Sequence, residues 1–317
     1  MVLELDRYLE NQLSDSHVLD TLARDLLNAG GKRLRARLVL TLAQHLNVPA
    51  AKALPWAGAN ELLHNASLIH DDIQDGDHWR RGKPTTWVAH GTDVAISLGD
   101  YLLMKPFLLI QQIPADDRVR LQLSHMMAST VEKMALAQVE ERALLNNLHP
   151  DQMRARYNAV VDGKTTALFE LPVKGLTLLA GIPEDEQSTW QNSFRALGQA
   201  FQILDDLKDV LGLKGKPLQG EDLREGKVSA LVVSYLEHKP KEGLELACFL
   251  AGKDKTDAPL WLEKFGTSGV LRRTQEWLLS EWKIFEANLP EKLKEMNFAK
   301  EVRQWLALDA ALAEEMK

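Results

Sequence analysis

A single cysteine, Cys248, in 317 residues leaves this chain no partner for an internal disulfide and no thiolate set for a structural zinc. It suits a reducing cytosol. The nine histidines show no His-Glu-x-x-His or other zinc spacing. No Gly-x-x-x-x-Gly-Lys-Ser/Thr loop occurs, and no Gly-x-Ser-x-Gly elbow. Long apolar runs are missing too. The longest, Tyr101–Ile110, contains Lys105 and Pro106 and is far too short to span a bilayer. The opening MVLELDRYLENQL is charged and amphipathic, without a signal-peptide core. A net charge of -7 gives no general attraction to nucleic acid or an anionic membrane. These absences predict a soluble cytoplasmic protein without a nucleic-acid partner, in which any anionic ligand must be held by a local group of cations.

Alternating apolar and polar residues nowhere persist long enough to make a strand, whereas helical periodicity recurs almost everywhere. The pattern predicts helices over about 3–13, 18–28, 33–46 and from 51 through a first acidic cluster. Others follow over 93–112, with Pro106 as a kink, and over 115–147, one helix of roughly 50 Å. Helices over 151–161, 165–180 and 185–211 come next, then several more from Lys227 to Lys317. With no low-complexity linker, residues 1–317 read as one all-α domain: a bundle of ten or more mostly antiparallel helices around a deep central cavity.

Two clusters of one pattern stand out, Asp71-Asp72-Ile73-Gln74-Asp75 and Asp205-Asp206-Leu207-Lys208-Asp209, each directly after an apolar helical run. Their first and last aspartates lie at i and i+4, so they project from one helix face and repel. Such clusters call for cations. A hard oxygen-seeking ion such as Mg2+, sharing one or two carboxylates with substrate phosphates, fits best. The two clusters are expected at the same end of the bundle.

Four basic elements accompany them. Gly30-Gly31-Lys32-Arg33-Leu34-Arg35 combines a glycine pair with three cations at a helix start, either a phosphate cradle or a plain capping turn. Arg80-Arg81-Gly82 follows the first cluster, as ligand contacts or as ordinary ion pairs. Lys164-Thr165-Thr166 opens a helix after Gly163, and Glu225-Gly226-Lys227 follows the second cluster; either lysine alone could be merely solvated. Together the set is what two diphosphates require, one on Mg2+ and the other on Lys and Arg directly. His70, Trp79 and Trp87 read as packing residues.

In this combination the sequence resembles the all-trans isoprenyl diphosphate synthases, or polyprenyl synthetases. The match runs from about Gly30 to Leu231 through GGKRLR, SLIHDDIQDGDHWRRGKPTTW, ISLGDYLL, GKTTALFELP, LGQAFQILDDLKDVLG and GEDLREGKVSALV. The resemblance implies a Mg2+-dependent prenyltransferase, usually a homodimer, with three Mg2+ ions. It makes Asp71, Asp75 and Asp205 metal ligands, supported by Asp72, Asp206 and Asp209. It assigns the allylic diphosphate to Arg80, Lys164 and Lys227, and the isopentenyl diphosphate to Lys32, Arg35, His64 and Arg81. Thr165, Gln202 and Gln138 would line the allylic carbons. Where the family carries glycine before that last glutamine, this chain has Ala137.

The reaction so implied needs no nucleophile from the protein. An allylic C–O bond ionises, the isopentenyl double bond attacks, and a diphosphate oxygen removes the last proton. Ser67 and Ala66, four and five residues before Asp71, are small where the resemblance implies an aromatic floor that stops growth at farnesyl diphosphate. Their size favours geranylgeranyl diphosphate or longer, with Leu63 on the next turn a partial stop. A floor built by a neighbouring helix around Met134 is the alternative. The rival functions are a farnesyl diphosphate synthase, a terpene cyclase and a silent subunit of a heteromeric synthase. Lys32, Arg35 and Arg81 speak against the cyclase, and the six aspartates against the silent subunit. Segments 93–112 and 115–147 are the expected dimer face.

Overall fold

The computed structural model describes residues 2–14, 16–146, 150–214, 218–252 and 254–313. Its chain falls into two compact units, 1–129 with 171–187 and 130–170 with 188–317.

The first unit is built on α4 (Ala50–Asp75), packed against α3 (Leu34–His45), α6 (Thr92–Gln111) and α1 (Val2–Glu10). Helix α2 (Val18–Asn28) also touches α6. Helix α4 is apolar on nearly every side and buries Trp56, Leu62, Leu63, Ala66 and Ile69. Such a helix holds its place by burial, at about 1.5–3 kcal/mol for each large side chain. It stops directly after the first acidic cluster. Gly76 takes φ +72° there, a left-handed conformation that closes helices, and its N–H and that of Asp77 return to the Asp72 carbonyl. Gly99 of α6 lets the neighbouring helix approach just above the cluster, where a Cβ would stand 2.2 Å from His70 Nε2.

In the second unit, α10 (Glu184–Val210) carries the second cluster in its last turns. Three acidic residues in its first turn suit the positive end of the helix dipole. Gly212 ends it at φ +71°. Helices α8 (Pro150–Val161) and α15 (Val270–Asn288) pack on α12 (Ala230–His238). Aromatic side chains fill this core. Phe194 meets Phe285 and Phe298, and Tyr235 lies between Trp261 and Phe265. Through these side chains, segments after residue 237 pack on α12 and α10.

Several sequence expectations change. A two-residue hairpin, β1 (Trp79–Arg80) with β2 (Lys83–Pro84), stands where no strand was expected. Pro106 lies inside an uninterrupted α6. The helix expected over 115–147 is α7 (Asp117–Ala143), closed by a 3-10 turn at Leu144–Asn146; residue 147 lies outside the described residues. No helix starts at Lys164. Residues Asp162–Thr166 form a π turn between α8 and α9 (Ala167–Leu179), so helical backbone runs on from 150 to 179. A free helix N-terminus for phosphate is thereby excluded at that lysine.

Candidate active site

In the first unit the acidic cluster ends α4, and the hairpin turns back toward it. Arg81 and Gly82 both have positive φ, 53° and 75°, as the tight two-residue turn of a hairpin demands. That turn sends the two arginines to different partners. Arg80 Nε donates to Asp72 Oδ1 at 2.5 Å, and its Nη2 lies 3.3 Å from Asp77 Oδ2. Asp72 is buried, which pushes its carboxyl up to about 6, against the lowering pull of Arg80. Arg81 donates to the Gly30 carbonyl. At Gly31 a Cβ would lie 2.8 Å from the Arg81 guanidinium, so a side chain there would displace it.

Of the three cations after Gly31, Arg33 turns inward. It holds a left-handed φ of 49° at the start of α3 and is buried. Its Nη1 donates to Glu61 Oε1 at 2.9 Å and its Nη2 to the Leu27 carbonyl at 2.6 Å. Asn65 adds a bond to the same Glu61 oxygen. This buried knot fixes the turn whose other residues are expected to take phosphate. Lys32 is exposed, and Arg35 Nη1 lies 3.2 Å from His64 Nε2. Burial and then Arg35, Arg81, Arg80 and Arg33 hold the His64 imidazole well below its usual range, so it is neutral at pH 7. Its buried Nδ1 has no hydrogen-bond partner among the described residues. The unit thus gathers Arg35, His64 and Arg81 near the Gly30–Gly31 turn, a cationic group with an unused polar atom. That donor set suits an anion.

In the second unit the three aspartates have different surroundings. Asp206 is buried; its Oδ2 accepts from Tyr157 Oη at 2.7 Å and from the Ala230 N–H at 2.7 Å, and its Oδ1 from Gln202 at 2.8 Å. Burial, reinforced by Asp222, pushes its carboxyl up to about 7, against the bonds from Ala230 and Tyr157. Asp209 Oδ2 accepts the Asp222 N–H at 3.1 Å, which ties α11 (Glu221–Glu225) to the cluster. Asp205 is half-buried, with Lys214 Nζ 2.8 Å from its Oδ2. That ammonium is held well above its usual range: burial would lower it, but Asp222, Asp205 and Asp209 together outweigh burial. Lys208 Nζ donates to the Leu306 carbonyl at 2.5 Å.

The π turn, which contains the run Gly163–Thr166, is hydrogen-bonded to this cluster. Thr165 Oγ1 donates to Gln202 Oε1 at 2.6 Å, so Thr165, Gln202, Asp206 and Tyr157 form one hydrogen-bonded chain. Gly198 brings α10 against it, since a Cβ there would stand 2.6 Å from Thr166 Cα. Gly163 likewise receives the Ala137 methyl, where a Cβ would come within 2.6 Å, so the alanine is accommodated beside Gln138. Lys164 pairs with Glu141 at 2.7 Å, and Lys227 with Glu225 at 2.9 Å.

The donor chemistry fits a hard divalent ion. Among the described residues no group of three or more His, Cys, Asp or Glu side chains is placed to hold a metal ion by itself. Open carboxylate sites that leave room for water and phosphate are what Mg2+ takes. Asp72 Oδ1 accepts from Arg80, and both Asp206 oxygens accept, from Gln202 on one side and from Tyr157 and Ala230 on the other. Asp71, Asp75 and Asp205 are the half-buried members. Both clusters also end their helices, where the dipole is negative and each carboxylate is disfavoured by about 0.3–1 kcal/mol. The residues missed by sequence reasoning are Glu61, Glu141, Tyr157 and Lys214. Only Lys214, a cation five residues past Asp209, left a signal there.

The fold defines an all-helical isoprenoid synthase. A solved geranylgeranyl pyrophosphate synthase superposes with a TM-score of 0.84 at 25% identity, covering 96% of this chain and 97% of that one. A geranylgeranyl pyrophosphate synthetase from Pyrococcus horikoshii gives 0.81 at 25% identity, covering 98% and 95%. The chain belongs to the polyprenyl synthetase family, whose model matches residues 16–260, and is thus an isoprenyl diphosphate synthase, a prenyltransferase. It is 33% identical over 253 residues to a short chain isoprenyl diphosphate synthase of Methanocaldococcus jannaschii, covering 77% of this chain and 75% of that protein. It is 30% identical over 241 residues to the octaprenyl diphosphate synthase of Escherichia coli, covering 75% and 72%.

Proposed function

We propose that this protein condenses isopentenyl diphosphate with an allylic diphosphate, in a Mg2+-dependent reaction, to give geranylgeranyl diphosphate or a longer product. The carrying observation is the cationic group of Arg35, His64 and Arg81 around the Gly30–Gly31 turn. It provides for a diphosphate on protein cations, distinct from one carried by carboxylate-bound metal. A terpene cyclase has no use for it.

Asp71, Asp75 and Asp205 would hold Mg2+, three ions in all, with Asp72, Asp206 and Asp209 as support. When bound, Mg2+ neutralises charge that develops on the leaving diphosphate. Arg80, Lys164 and Lys227 meet the same charge directly, the lysines by leaving Glu141 and Glu225. Lys32, Arg35, His64 and Arg81 would hold the isopentenyl diphosphate, whose double bond attacks the allylic carbon. With Nε2 accepting from Arg35, a neutral His64 has its Nδ1–H to donate to that diphosphate without adding charge. Thr165, Gln202 and Gln138 line the allylic chain, the first two held in register by Asp206. The final proton passes to a diphosphate oxygen.

Chain length is read from α4. Ala66 is fully buried, while Ser67 keeps part of its surface and bonds to the His64 carbonyl at 2.8 Å. Neither is a bulky stop, and Leu63 one turn below is buried. Homodimer formation is supported by Ile96, Met104 and Leu108, large apolar residues 46–60% exposed along α6. A cytoplasmic location accords with the lone cysteine; among the described residues no helix is long and apolar enough to cross a membrane.

The test is incubation with radiolabelled isopentenyl diphosphate and each allylic primer, with and without Mg2+. Chain extension to twenty carbons or more, only with Mg2+, is expected. No incorporation with any primer would overturn the assignment. Asp71→Ala and Asp205→Ala should each lower turnover by at least about 10²–10³, the scale of losing one preorganised charge stabiliser.

A further inference from the structure

The proposed chemistry leaves Lys214, beside the second cluster, unused. Its Nζ lies 2.8 Å from Asp205 Oδ2, 3.5 Å from Asp222 Oδ2 and 3.8 Å from Asp209 Oδ1. Its side chain is 16% exposed, against 45% for Asp205. Three carboxylates from α10 and α11 thus surround one ammonium. Two of them, Asp205 and Asp209, belong to the cluster at the negative end of α10. Without a cation they would repel one another in a partly buried setting. An ammonium is a compact point charge on a flexible stem, the kind of cation that can fill such a place and withdraw from it. Arginine, planar and held by several bonds, is less suited to that exchange.

We infer that Lys214 is a built-in placeholder cation: it balances Asp205, Asp209 and Asp222 in the metal-free protein, and its ammonium leaves Asp205 when a divalent ion binds there. This rests on Asp205 as a metal ligand. Lys214 is then a positioning residue that sets how tightly the second cluster takes metal. It keeps the carboxylates of α10 and the 220–227 segment in place before substrate arrives. Its ion pair with Asp205 is broken as metal binds, so metal affinity is lower than the carboxylates alone would give.

The test is Mn2+ binding, followed by the EPR signal of the free ion, on the full-length wild type, Lys214→Gln and Asp205→Asn. Thermal unfolding of each is measured in EDTA and at saturating Mn2+. Lys214→Gln should tighten the Asp205-dependent ions by roughly tenfold, the order of one close charge pair. It should also unfold at lower temperature than wild type in EDTA, and the gap should close when Mn2+ is added. Unchanged or weaker Mn2+ binding in Lys214→Gln, or a thermal gap that persists at saturation, overturns the placeholder. If Asp205→Asn binds Mn2+ as wild type does, the metal assignment of Asp205 itself fails, which is a separate result. Lys214→Met, which keeps the apolar stem, replaces the glutamine variant if that one does not fold. Should neither fold, acetylation of Lys214 in the wild type decides: exposure on adding Mn2+ supports the placeholder, and unchanged protection overturns it.

Discussion

Tyr157 donates its hydroxyl to Asp206 Oδ2 at 2.7 Å, and both residues are buried. The pair ties α8 to the second acidic cluster, and through Gln202 it reaches Thr165 of the π turn. An aspartate of the motif is therefore a structural acceptor as much as a source of charge.

That burial has a pH signature. The Asp206 carboxyl is pushed up to about 7 in the folded protein, above its ordinary value of 3.8. The native state therefore binds this proton more tightly than the unfolded chain. Its contribution is fully present below about pH 4 and is lost as pH rises toward 7. Asp72, pushed up to about 6, acts in the same direction. In EDTA, Asp206→Asn should lose less thermal stability than wild type between pH 4 and 7. Parallel curves for the two proteins would contradict the assignment.

The Arg33–Glu61 pair is buried on both sides, at 8% and 2% side-chain exposure. Removing Glu61 leaves the buried Arg33 with the more exposed Asp6, whose Oδ1 lies 3.3 Å from Nη2, as counter-ion, and costs up to about 3–5 kcal/mol. Glu61→Ala should show a loss of that size in denaturant unfolding and raise KM for isopentenyl diphosphate more than it lowers kcat. Arg303→Gln, at an exposed pair with Asp309, should stay within about 1 kcal/mol of wild type.

Product length is expected to respond to α4 one turn before Asp71. Ser67→Phe, at the partly open position, should shorten the product extracted from the extension assay. Ala66→Phe at a fully buried position should also shorten it, but with an overpacking cost of about 1–3 kcal/mol. An unchanged product distribution in both variants would move the floor to another helix.

The apolar stripe on α6 gives a simple test of assembly. Met104→Glu with Leu108→Glu places two charges on a face where large apolar residues are now exposed. A proposed homodimer should become a monomer in light scattering, with helical content retained. A mass unchanged from wild type would exclude this face.

Much of this site was legible in the sequence because its signals are local. The two acidic clusters, the Gly30–Gly31 turn and the arginine pair are short patterns, and α4 and α10 carry strong helical periodicity. Arg33 was grouped with Lys32 and Arg35 because residue type alone does not reveal which of three adjacent cations turns inward. Its partner Glu61 is 28 residues away. Tyr157, 49 residues from Asp206, left no signal for the same reason. The helix start expected at Lys164 failed differently. Gly163 reads as a break, yet in the fold it is a point of close approach for Ala137 inside unbroken helical backbone.

That stretch has a consequence for how this chain can vary in length. The π turn at Asp162–Thr166 takes up one residue more than an α turn would. In an ordinary helix each residue advances the facing direction by roughly 100°. Tyr157 before the turn and Thr165 within it are linked through Gln202 and Asp206, so their relative facing is set by a count of residues. A deletion between 158 and 164 changes that count and with it the facing of Thr165 toward Gln202. Substitutions in the same stretch leave that count intact. Apart from Gly163, where a Cβ would meet Ala137, and Lys164, the segment should accept changes of residue more readily than changes of length.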